Sequence, residues 1–591
     1  MKGTNELSFV VGGFAGQGVN TVGYALARIC SRAGLHVFIN LEYPSNIKGE
    51  HNYAQVMVSE KPIGSHVNSV DLLLALDARS VVLHKDKIKP GGALIYDREG
   101  VEVSPVDAGL KVGDIERSDI IVIDMPMAQI AKDAGGSKKM VNSVGLGAVM
   151  GSLRFDFELL ADMLRQSLEK LDDKVVAANL EGARQAYDIA REKYAEQVGI
   201  VLEKCDGPDR MLVTGNQAVA LGAIKAGVRF YSAYPMSPST GVMVYLTKQA
   251  RDRGIVTIQP EDEISAAGMS IGASFAGVRA MTGTSGGGFC LMSEYFGLAG
   301  ITEIPLVIFV AQRPGPATGL PTRTEQGDLK FVLSAHQGDF ARIVVAPGDV
   351  SEAFYLTFDA FNLADKYQTP VILLSDKHLA EATWTQEPLE TANMKIDRGD
   401  LLRTEELAGM SDYKRYQVTD SGISPRALPG APGGVFKATG NEHTESGLVS
   451  EDADNRASQM DKRQRKTSTL DVSDIGARLH GNPEAKITLV GWGSTKPVIL
   501  DVITQLKEAH KIDCSFLQVI YMEPFPVDHV SRVLNKAGRT LLIENNATGQ
   551  LGQLIRQQTG ILIKDQILKY NGRQFMRDEL ADLIGQRLRE A

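Results

Sequence analysis

Residues 254–289 read GIVTIQPEDEISAAGMSIGASFAGVRAMTGTSGGGF, and this stretch decides the fold. The apolar run 255–258 predicts a strand, and the Ala- and Gly-rich run 264–276 predicts a helix that begins directly after three acidic residues. A second strand then leads through Thr284 and Ser285 into three glycines and another helical pattern. Two successive strand–helix units predict a parallel sheet, and such sheets bind ligands at the carboxyl ends of their strands.

Glu263 is the last of the three acidic residues and stands where the predicted helix begins. The helix dipole favours a negative charge at this end, so position alone favours a purely structural role for the carboxylate. Gly268 and Gly272 are four residues apart on the same predicted helix. They share one helix face, and their lack of side chains predicts the close approach of another backbone.

Length and composition place the chain among multidomain globular proteins. Its 591 residues predict about four domains of ~150 residues each. Hydrophobic residues make up 43% and charged residues 23%, and no apolar run reaches the ~18 residues of a membrane span. Residues 1–10 lack the pattern of a secretory signal, so we expect a cytoplasmic protein. The net charge of −9 argues against nucleic acid as the main partner.

The cysteine positions limit the redox chemistry that the chain can support alone. Cys30, Cys205, Cys290 and Cys514 are far apart, and no C-x-x-C occurs. This spacing argues against a disulfide framework and against an iron–sulfur cluster ligated only by this chain.

Strand and helix patterns alternate over residues 1–205 and predict a first α/β domain with a mostly parallel sheet. The loop GGFAGQG at 12–18 follows its first strand, with glycines spaced G-x-x-G-x-G. This spacing is neither the dinucleotide fingerprint G-x-G-x-x-G nor a P-loop. The loop predicts either a strand–helix turn that binds an anion or only a tight turn. A non-catalytic nucleotide-binding scaffold is the alternative function that it leaves open.

A second α/β domain is predicted over residues 206–380, with two further loops at strand ends. The first contains Tyr234 and Ser237 in the sequence YPMSP, and the second, 312–328, combines prolines and glycines with two arginines. A guanidinium matches a carboxylate in bidentate fashion, so an arginine at a strand end is suited to binding an oxoacid.

The remaining sequence divides into a connector and a last domain. Residues 381–480 are rich in charged residues, Gly and Pro, and predict an irregular connector in which the charge run 461–466 forms a solvated helix. Residues 481–591 return to strand–helix alternation and predict a third α/β domain.

Taken in order, these motifs resemble the α subunit of 2-oxoacid:ferredoxin oxidoreductases with a γ-type domain fused ahead of it. The resemblance implies several doubly wound parallel-sheet domains of the α/β class. They include a thiamine-diphosphate pyrimidine-binding domain and a transketolase C-terminal-like domain. It also implies that Glu263 is the catalytic carboxylate, hydrogen-bonded to the aminopyrimidine ring of the coenzyme, and that Thr284, Ser285 and Gly286 bind the same coenzyme.

The same resemblance implies the residues that contact the substrates. The family's Tyr-Pro-Ile-Thr-Pro motif corresponds to the YPMSP sequence, in which Ser keeps the hydroxyl group and loses a methyl. The oxoacid contacts are then expected at Tyr234, Ser237, Arg313, Thr322 and Arg323. Arg323 is suited to a second acidic group of the oxoacid, or to pairing with a neighbouring acidic residue of its loop.

Coenzyme A is expected as a substrate, with contacts from Gly16, Gln17, Gly18 and Lys48. The family often has an Arg-Gly-Gly segment where this chain has Lys-Gly-Glu at 48–50, so the role of that loop is open.

Partners are implied by what the sequence lacks. Thiamine-diphosphate enzymes bind the diphosphate through a metal and a Gly-Asp-Gly motif, and this motif does not occur in the sequence. We therefore expect a β subunit that supplies the diphosphate site, Mg²⁺ and a [4Fe-4S] cluster and passes electrons to ferredoxin. No metal site is expected in this chain itself. A dimer of heterodimers is the expected assembly. The resemblance favours 2-oxoglutarate as substrate, with pyruvate or branched-chain 2-oxoacids as the alternatives.

Overall fold

The structure is a computed structural model that describes residues 3–45, 49–112, 115 and 117–589. Two compact units divide the chain. The first consists of residues 1–213, 382–389 and 576–591, and the second consists of residues 214–381 and 390–575. No helix of the described part is both long enough and apolar enough to cross a bilayer.

The described strands are, in chain order, β1 Gly3–Thr4, β2 Leu7–Phe14, β3 His36–Glu42, β4 His51–Ser59, β5 Val70–Ala75, β6 Ile88–Tyr96, β7 Ile121–Asp124, β8 Ile200–Val201, β9 Met211–Thr214, β10 Phe230–Ser232, β11 Val256–Ile258, β12 Ala280–Thr284, β13 Leu306–Gln312, β14 Ile343–Val345, β15 Pro370–Asp376, β16 Thr383–Gln386, β17 Ala477–Gly481, β18 Ile487–Trp492, β19 Cys514–Val519, β20 Tyr521–Glu523, β21 Arg539–Glu544 and β22 Asp565–Leu568.

The described α-helices are α1 Val19–Arg32, α2 Ala78–His84, α3 Met127–Asp133, α4 Val141–Ser152, α5 Phe157–Ser167, α6 Asp173–Lys193, α7 Ala195–Val198, α8 Gly215–Lys225, α9 Thr240–Arg253, α10 Glu263–Phe275, α11 Gly286–Ile301, α12 Leu329–Ser334, α13 Val350–Tyr367, α14 Lys377–Glu381, α15 Thr404–Ala408, α16 Ala453–Arg465, α17 Thr495–His510, α18 Val527–Lys536, α19 Gln550–Thr559 and α20 Arg577–Arg589. Short 3-10 turns span Lys85–Lys87, Pro105–Asp107, Lys138–Met140 and Lys466–Thr469.

The first unit is built on an eight-stranded sheet with the order β7-β6-β5-β2-β4-β3-β16-β9. Strand β4 runs antiparallel to both of its neighbours, so the sheet is mixed. Strand β4 is not apparent from the sequence, because the buried Gln55 interrupts its apolar pattern. The amide of Gln55 donates hydrogen bonds to Ser8 Oγ (3.1 Å) and Val67 O (2.7 Å), which offset the cost of burying it.

The second unit contains two sheets that share one hydrophobic core. The larger has the order β11-β10-β12-β13-β15-β14-β20, in which only β20 runs antiparallel. The smaller has the order β17-β19-β18-β21-β22. Side chains of both sheets, among them Ile308 and Trp492, belong to the same buried cluster. The predicted α/β fold class is therefore confirmed.

Within the stretch 254–289 the predicted strand, helix and second strand are present as β11, α10 and β12. The three glycines that follow the second strand already belong to the next helix, because Gly286, Gly287 and Gly288 form the first turn of α11. Tertiary contacts override the poor helix propensity of glycine here. A methyl group added to Gly288 would lie 2.6 Å from Glu263 Oε1, so only glycine fits against that carboxyl group.

The two glycines of α10 do not meet another backbone among the described residues. A methyl group on Gly268 would lie 3.1 Å from the Tyr295 ring, and one on Gly272 would have no neighbour within 4 Å. The expected close backbone contact is therefore not found in the part of the chain that the structure describes. On the exposed side of α10, the side chains of Ile264 and Met269 are 40% and 42% accessible.

The segment 390–480 has few regular elements but is held by buried ion pairs. Asp365 on α13 binds the guanidinium groups of Arg279 (2.9 Å), Arg398 (2.8 Å) and Arg426 (2.9 Å). Three cations around one buried carboxylate fix the segment to the larger sheet.

A second buried ion cluster fixes helix α16. The amino groups of Lys462 and Lys466 each lie 2.7 Å from the carboxylate of Glu303, and all three side chains are at most 2% exposed. The predicted solvated helix over 461–466 is therefore wrong. The charges of the run face a buried acid that lies more than 150 positions earlier in the chain.

Candidate active site

Glu263 lies at the first residue of α10, after the carboxyl end of β11. Asp262 caps the helix by accepting a hydrogen bond from the Ser265 N–H at 2.7 Å, which fixes the direction in which Glu263 leaves the backbone. The Glu263 side chain is only 3% exposed, and its Oε1 has no hydrogen-bond partner among the described residues. Burial raises the pKa of this carboxyl group. A buried acid with one unpaired oxygen is suited to exchange a hydrogen bond with a ligand.

A buried hydroxyl group lies close to this carboxyl group. A methyl group added to Gly288 would overlap Thr284 Oγ1 and would also lie 2.6 Å from Glu263 Oε1. These two side-chain oxygens therefore lie close to each other. Thr284 and Ser285 are fully buried, and neither hydroxyl has a hydrogen-bond partner within the described residues. Unpaired buried hydroxyl groups are costly, so two in succession at the carboxyl end of β12, one of them close to Glu263, indicate a ligand site.

Arg313 brings two of the predicted substrate loops together. It follows β13, and its guanidinium donates a 2.8 Å hydrogen bond to Ser237 O in the loop that follows β10. Burial lowers the pKa of Arg313, while the charges of Asp328 and Glu263 raise it. Tyr234, in the same loop as Ser237, is 38% exposed. The adjacent parallel strands β11, β10, β12 and β13 thus present these groups at one sheet edge.

Asp328 is a site residue that the sequence analysis missed. A methyl group on Gly286 would lie 2.6 Å from its Cγ, so this carboxyl group packs against the first turn of α11. Its Oδ2 is buried and has no hydrogen-bond partner in the described chain. Burial raises its pKa to about 6, although Arg313 lowers it. The sequence signal for this residue is its position at the end of the loop 312–328, two residues after Gln326. This loop carries Arg313 and Arg323 and is called the arginine loop below.

The arginine loop is anchored to the smaller sheet by Gln326. All four polar groups of this residue are paired: its N–H donates to Asn545 O (2.7 Å), its Oε1 accepts from Asn545 N (2.9 Å), its Nε2 donates to Trp492 O (2.8 Å) and its O accepts from Asn546 Nδ2 (3.2 Å). A fully paired buried amide rigidifies the loop that carries Arg313.

Thr322 and Arg323 lie in the middle of that loop. Thr322 is 7% exposed. A methyl group on Gly572 would lie 3.2 Å from Cβ of Arg323, so the stem of this arginine packs against the turn that follows β22.

The predicted glycine loop lines a cavity of about 520 Å³ in the first unit. Gly16, Gln17 and Gly18 line it together with Lys139 and Asn142. Gly16 and Gly18 have φ of 105° and 79°, which favours glycine at both positions. A methyl group on Gly16 would have no neighbour within 4 Å, whereas one on Gly18 would overlap the Asn142 amide. The N-terminus of α1 has no side-chain cap. Lys48 lies outside the described residues.

Two family models match the chain. "Pyruvate flavodoxin/ferredoxin oxidoreductase, thiamine diP-bdg" matches residues 221–462, and "Pyruvate ferredoxin/flavodoxin oxidoreductase" matches residues 8–189. The α subunit of 2-oxoacid:ferredoxin oxidoreductase 1 from Sulfurisphaera tokodaii is 34% identical over 98% of this chain and 97% of its own length. This chain belongs to the 2-oxoacid:ferredoxin oxidoreductase family. Family membership favours an enzyme over the nucleotide-binding scaffold.

A solved oxidoreductase has the same fold over the full chain. It is the 2-oxoglutarate:ferredoxin oxidoreductase of Magnetococcus marinus with 2-oxoglutarate, coenzyme A and succinyl-CoA bound. It is 31% identical, with a TM-score of 0.90 over 99% of this chain and 100% of that chain. The 2-oxoglutarate synthase subunit KorA of Methanothermobacter thermautotrophicus is 30% identical over 64% of this chain and 98% of its own length. The oxidoreductase described here is therefore a thiamine-diphosphate-dependent subunit of a multi-subunit enzyme with ferredoxin as acceptor.

The residues present fit one end of thiamine diphosphate. The aminopyrimidine ring needs a carboxyl group at a ring nitrogen, and the unpaired Oε1 of Glu263 is available for that bond. The nearby hydroxyl groups of Thr284 and Ser285 add donors and acceptors. The raised pKa of Glu263 favours the protonated carboxyl, the form that can donate a hydrogen bond to a ring nitrogen.

Proposed function

We propose that this oxidoreductase subunit acts on 2-oxoglutarate, forming succinyl-CoA, carbon dioxide and reduced ferredoxin. Two groups at one sheet edge support the proposal. Glu263, whose Oε1 is unpaired among the described residues, follows β11, and Arg313 follows β13 of the same sheet. The 2-oxoglutarate named for the Magnetococcus marinus structure, and the KorA relative, support this choice of oxoacid.

Each residue of the site has a definite task in this proposal. Thiamine diphosphate, when bound, supplies the acidic carbon that adds to the 2-oxo group and makes decarboxylation feasible. Glu263 holds a proton at the ring nitrogen of the coenzyme. Arg313 binds the carboxylate next to the 2-oxo group, with Ser237, Tyr234 and Thr322 shaping the site. Arg323 is the cation for the distal carboxylate that distinguishes 2-oxoglutarate from pyruvate.

The partner in this proposal is a β subunit that supplies the diphosphate site, Mg²⁺ and a [4Fe-4S] cluster, in a dimer of heterodimers. Exposed apolar side chains on α10 and α11 support the proposal that the β subunit covers the surface of these two helices. Ile264 and Met269 on α10 and Leu291 on α11 are 40%, 42% and 50% exposed. Apolar side chains grouped beside a site mark a place for a partner protein.

Kinetics with several oxoacids test the choice of substrate. In the complex assembled with its partner, kcat/KM for 2-oxoglutarate should exceed that for pyruvate and for branched-chain oxoacids by at least about tenfold, roughly one charge-pair interaction. Arg313→Gln should raise KM for every oxoacid, because all carry the first carboxylate. Arg323→Gln should raise KM only for 2-oxoglutarate. An unchanged oxoacid preference in Arg323→Gln would contradict the assignment of the distal carboxylate.

Coenzyme A is proposed to bind in the cavity at Gly16, Gln17 and Gly18, with its phosphates near the α1 N-terminus. Gln17 holds the turn rigid, because its amide oxygen accepts from the Phe14 N–H (2.9 Å) and its nitrogen donates to Glu102 Oε2 (3.1 Å). Lys139 is the cation that lines the cavity. Lys48, predicted from the sequence, is retained in the proposal.

Substitution of Lys139 tests the cavity. Lys139→Ala should raise KM for coenzyme A by about tenfold and leave KM for the oxoacid unchanged, since a charge-assisted bond to phosphate contributes ~1.5–3 kcal/mol. The matched control is Lys132→Ala, an exposed lysine on α3 that does not line the cavity. Equal KM values for coenzyme A in the two variants would contradict the placement.

A further inference from the structure

The carboxyl group of Asp328 is held beside Arg313 by the two ends of one loop. The Asp328 N–H donates a 2.9 Å hydrogen bond to Oε1 of Gln312, the residue that precedes Arg313. Gln312 is fully buried, and its Nε2 donates to Ser375 O at 3.0 Å. The position of Asp328 is therefore set by the sheet and does not depend on a flexible loop.

Three titratable groups among the described residues interact electrostatically with Asp328. Arg313 at the end of β13 is the cation that acts on it, and it lowers the pKa of the Asp328 carboxyl group. Asp328 in turn raises the pKa of Glu325 in its own loop and of Cys290 on α11. Glu263 on α10 acts on the same Arg313. The charge of Arg313 thus acts on the Asp328 carboxyl group before any substrate is present.

A substrate carboxylate at Arg313 brings a second negative charge to the guanidinium on which the Asp328 carboxylate already acts. The Oδ2 of Asp328 is buried and has no hydrogen-bond partner in the described chain, so no other donor stabilises its ionised form there. The first turn of α11 packs against the carboxyl group at Gly286, where an added methyl group would lie 2.6 Å from Cγ. Protonation of Asp328 removes the repulsion between the two carboxylates.

We propose that Asp328 takes up a proton from solvent when the carboxylate of a 2-oxoacid binds at Arg313, so that oxoacid affinity falls as pH rises. The proposal rests on the proposed role of Arg313 in binding that carboxylate. Asp328 is a positioning residue in this account, because it acts on the substrate through Arg313.

The expected pH dependence follows from the sign of the coupling. Without oxoacid Asp328 is mostly ionised above pH 6, since its pKa is about 6. The bound oxoacid favours the protonated form, so binding at higher pH requires uptake of a proton. KM should rise by up to about tenfold per pH unit above pH 6, the limit for one coupled proton. In Asp328→Asn, which keeps the shape and removes the charge, KM should be flat with pH and lower than that of the unmodified enzyme at pH 8.

The experiment uses the complex assembled with its partner and thiamine diphosphate. KM and kcat for 2-oxoglutarate are measured from pH 6 to 9 for the unmodified enzyme, Asp328→Asn and the control Asp252→Asn, an exposed acid on α9. Proton uptake is measured independently by calorimetry of glutarate binding to the unmodified complex, in buffers of different ionisation enthalpy. Uptake approaching one proton at pH 7–8, and a pH-independent KM only in Asp328→Asn, are the expected results.

Two results would overturn the inference: an Asp328→Asn KM that follows the same pH curve as the control, or no proton uptake by the unmodified complex. The calorimetry needs no variant, so it decides the matter even where Asp328→Asn does not fold. Arg313→Gln distinguishes a failure of the proposed role of Arg313 from a failure of the proposed role of Asp328. Unchanged oxoacid KM values in Arg313→Gln remove the proposed role of Arg313. Raised oxoacid KM values in Arg313→Gln, together with an Asp328→Asn KM that follows the pH curve of Asp252→Asn, would contradict only the proton uptake by Asp328.

Discussion

Replacing Glu263 with Gln will lower kcat of the assembled oxidoreductase by about 10²–10⁴-fold, the range that a positioned acid–base group contributes. Gln keeps the size of the side chain but has no proton to give or take at the coenzyme ring. KM for the oxoacid should change little, because Arg313 and its 2.8 Å bond to Ser237 O remain. The measurement is steady-state reduction of ferredoxin at saturating oxoacid and coenzyme A.

Gly288→Ala is a second, independent way to disturb the same carboxyl group. The added methyl group would overlap Thr284 Oγ1 and would lie 2.6 Å from Glu263 Oε1, so both side chains must move although the chemistry of the acid is intact. We expect a loss of kcat here as well. The control is Gly585→Ala in α20, where the new methyl group would have ordinary contact at 3.5 Å with Arg589. Full turnover in both Glu263→Gln and Gly288→Ala would contradict the role of Glu263.

Replacing Glu303 with Gln will destabilise the anchoring of α16 by about 3–5 kcal/mol, because it leaves two buried ammonium groups without a counter-ion. Lys462 and Lys466 are both almost fully buried against this carboxylate. Burial raises the pKa of Glu303, but the two lysines and Arg415 outweigh it and hold that pKa well below its usual range. Its stabilising contribution is thus present above the unfolded-state pKa of ~4.3 and is lost as pH falls further.

Amide hydrogen exchange of residues 453–465 measures this effect locally, which avoids assuming that a chain of this size unfolds in one step. Exchange should accelerate in Glu303→Gln and stay unchanged in the control Glu405→Gln, an exposed acid on α15. The triple variant E303M/K462M/K466M should recover much of the protection, since apolar side chains replace buried ion groups at little cost. Equal protection in Glu303→Gln and the control would contradict the anchoring role.

The sequence predicted the elements whose signal is local. The strand, acidic residues, helix and second strand of 254–289 are present because apolar periodicity and helix-start acids act over a few residues. Local signals also predicted that Glu263 stands at the start of a helix and that Arg313 follows a strand. Their roles came from a family resemblance, which the relatives now support at the level of the family.

What the sequence did not predict depends on contacts between distant positions. Lys462 and Lys466 are typical of a solvated face until Glu303, 159 residues before Lys462, is brought against them. Asp328 is one of two acidic residues in its loop, and its packing against Gly286 distinguishes it from Glu325. Strand β4 was missed because the hydrogen bonds that make a buried Gln55 acceptable come from residues 8 and 67.

The most direct test of the account is the activation of the coenzyme itself by Glu263. In the assembled complex without oxoacid, the acidic thiazolium C–H of bound thiamine diphosphate exchanges with deuterium at a rate that acid quench and NMR can measure. The account predicts that Glu263→Gln slows this exchange by at least about 10²-fold, while Gly585→Ala leaves it unchanged. Equal exchange rates in Glu263→Gln and the unmodified complex, with coenzyme bound in both, would contradict it.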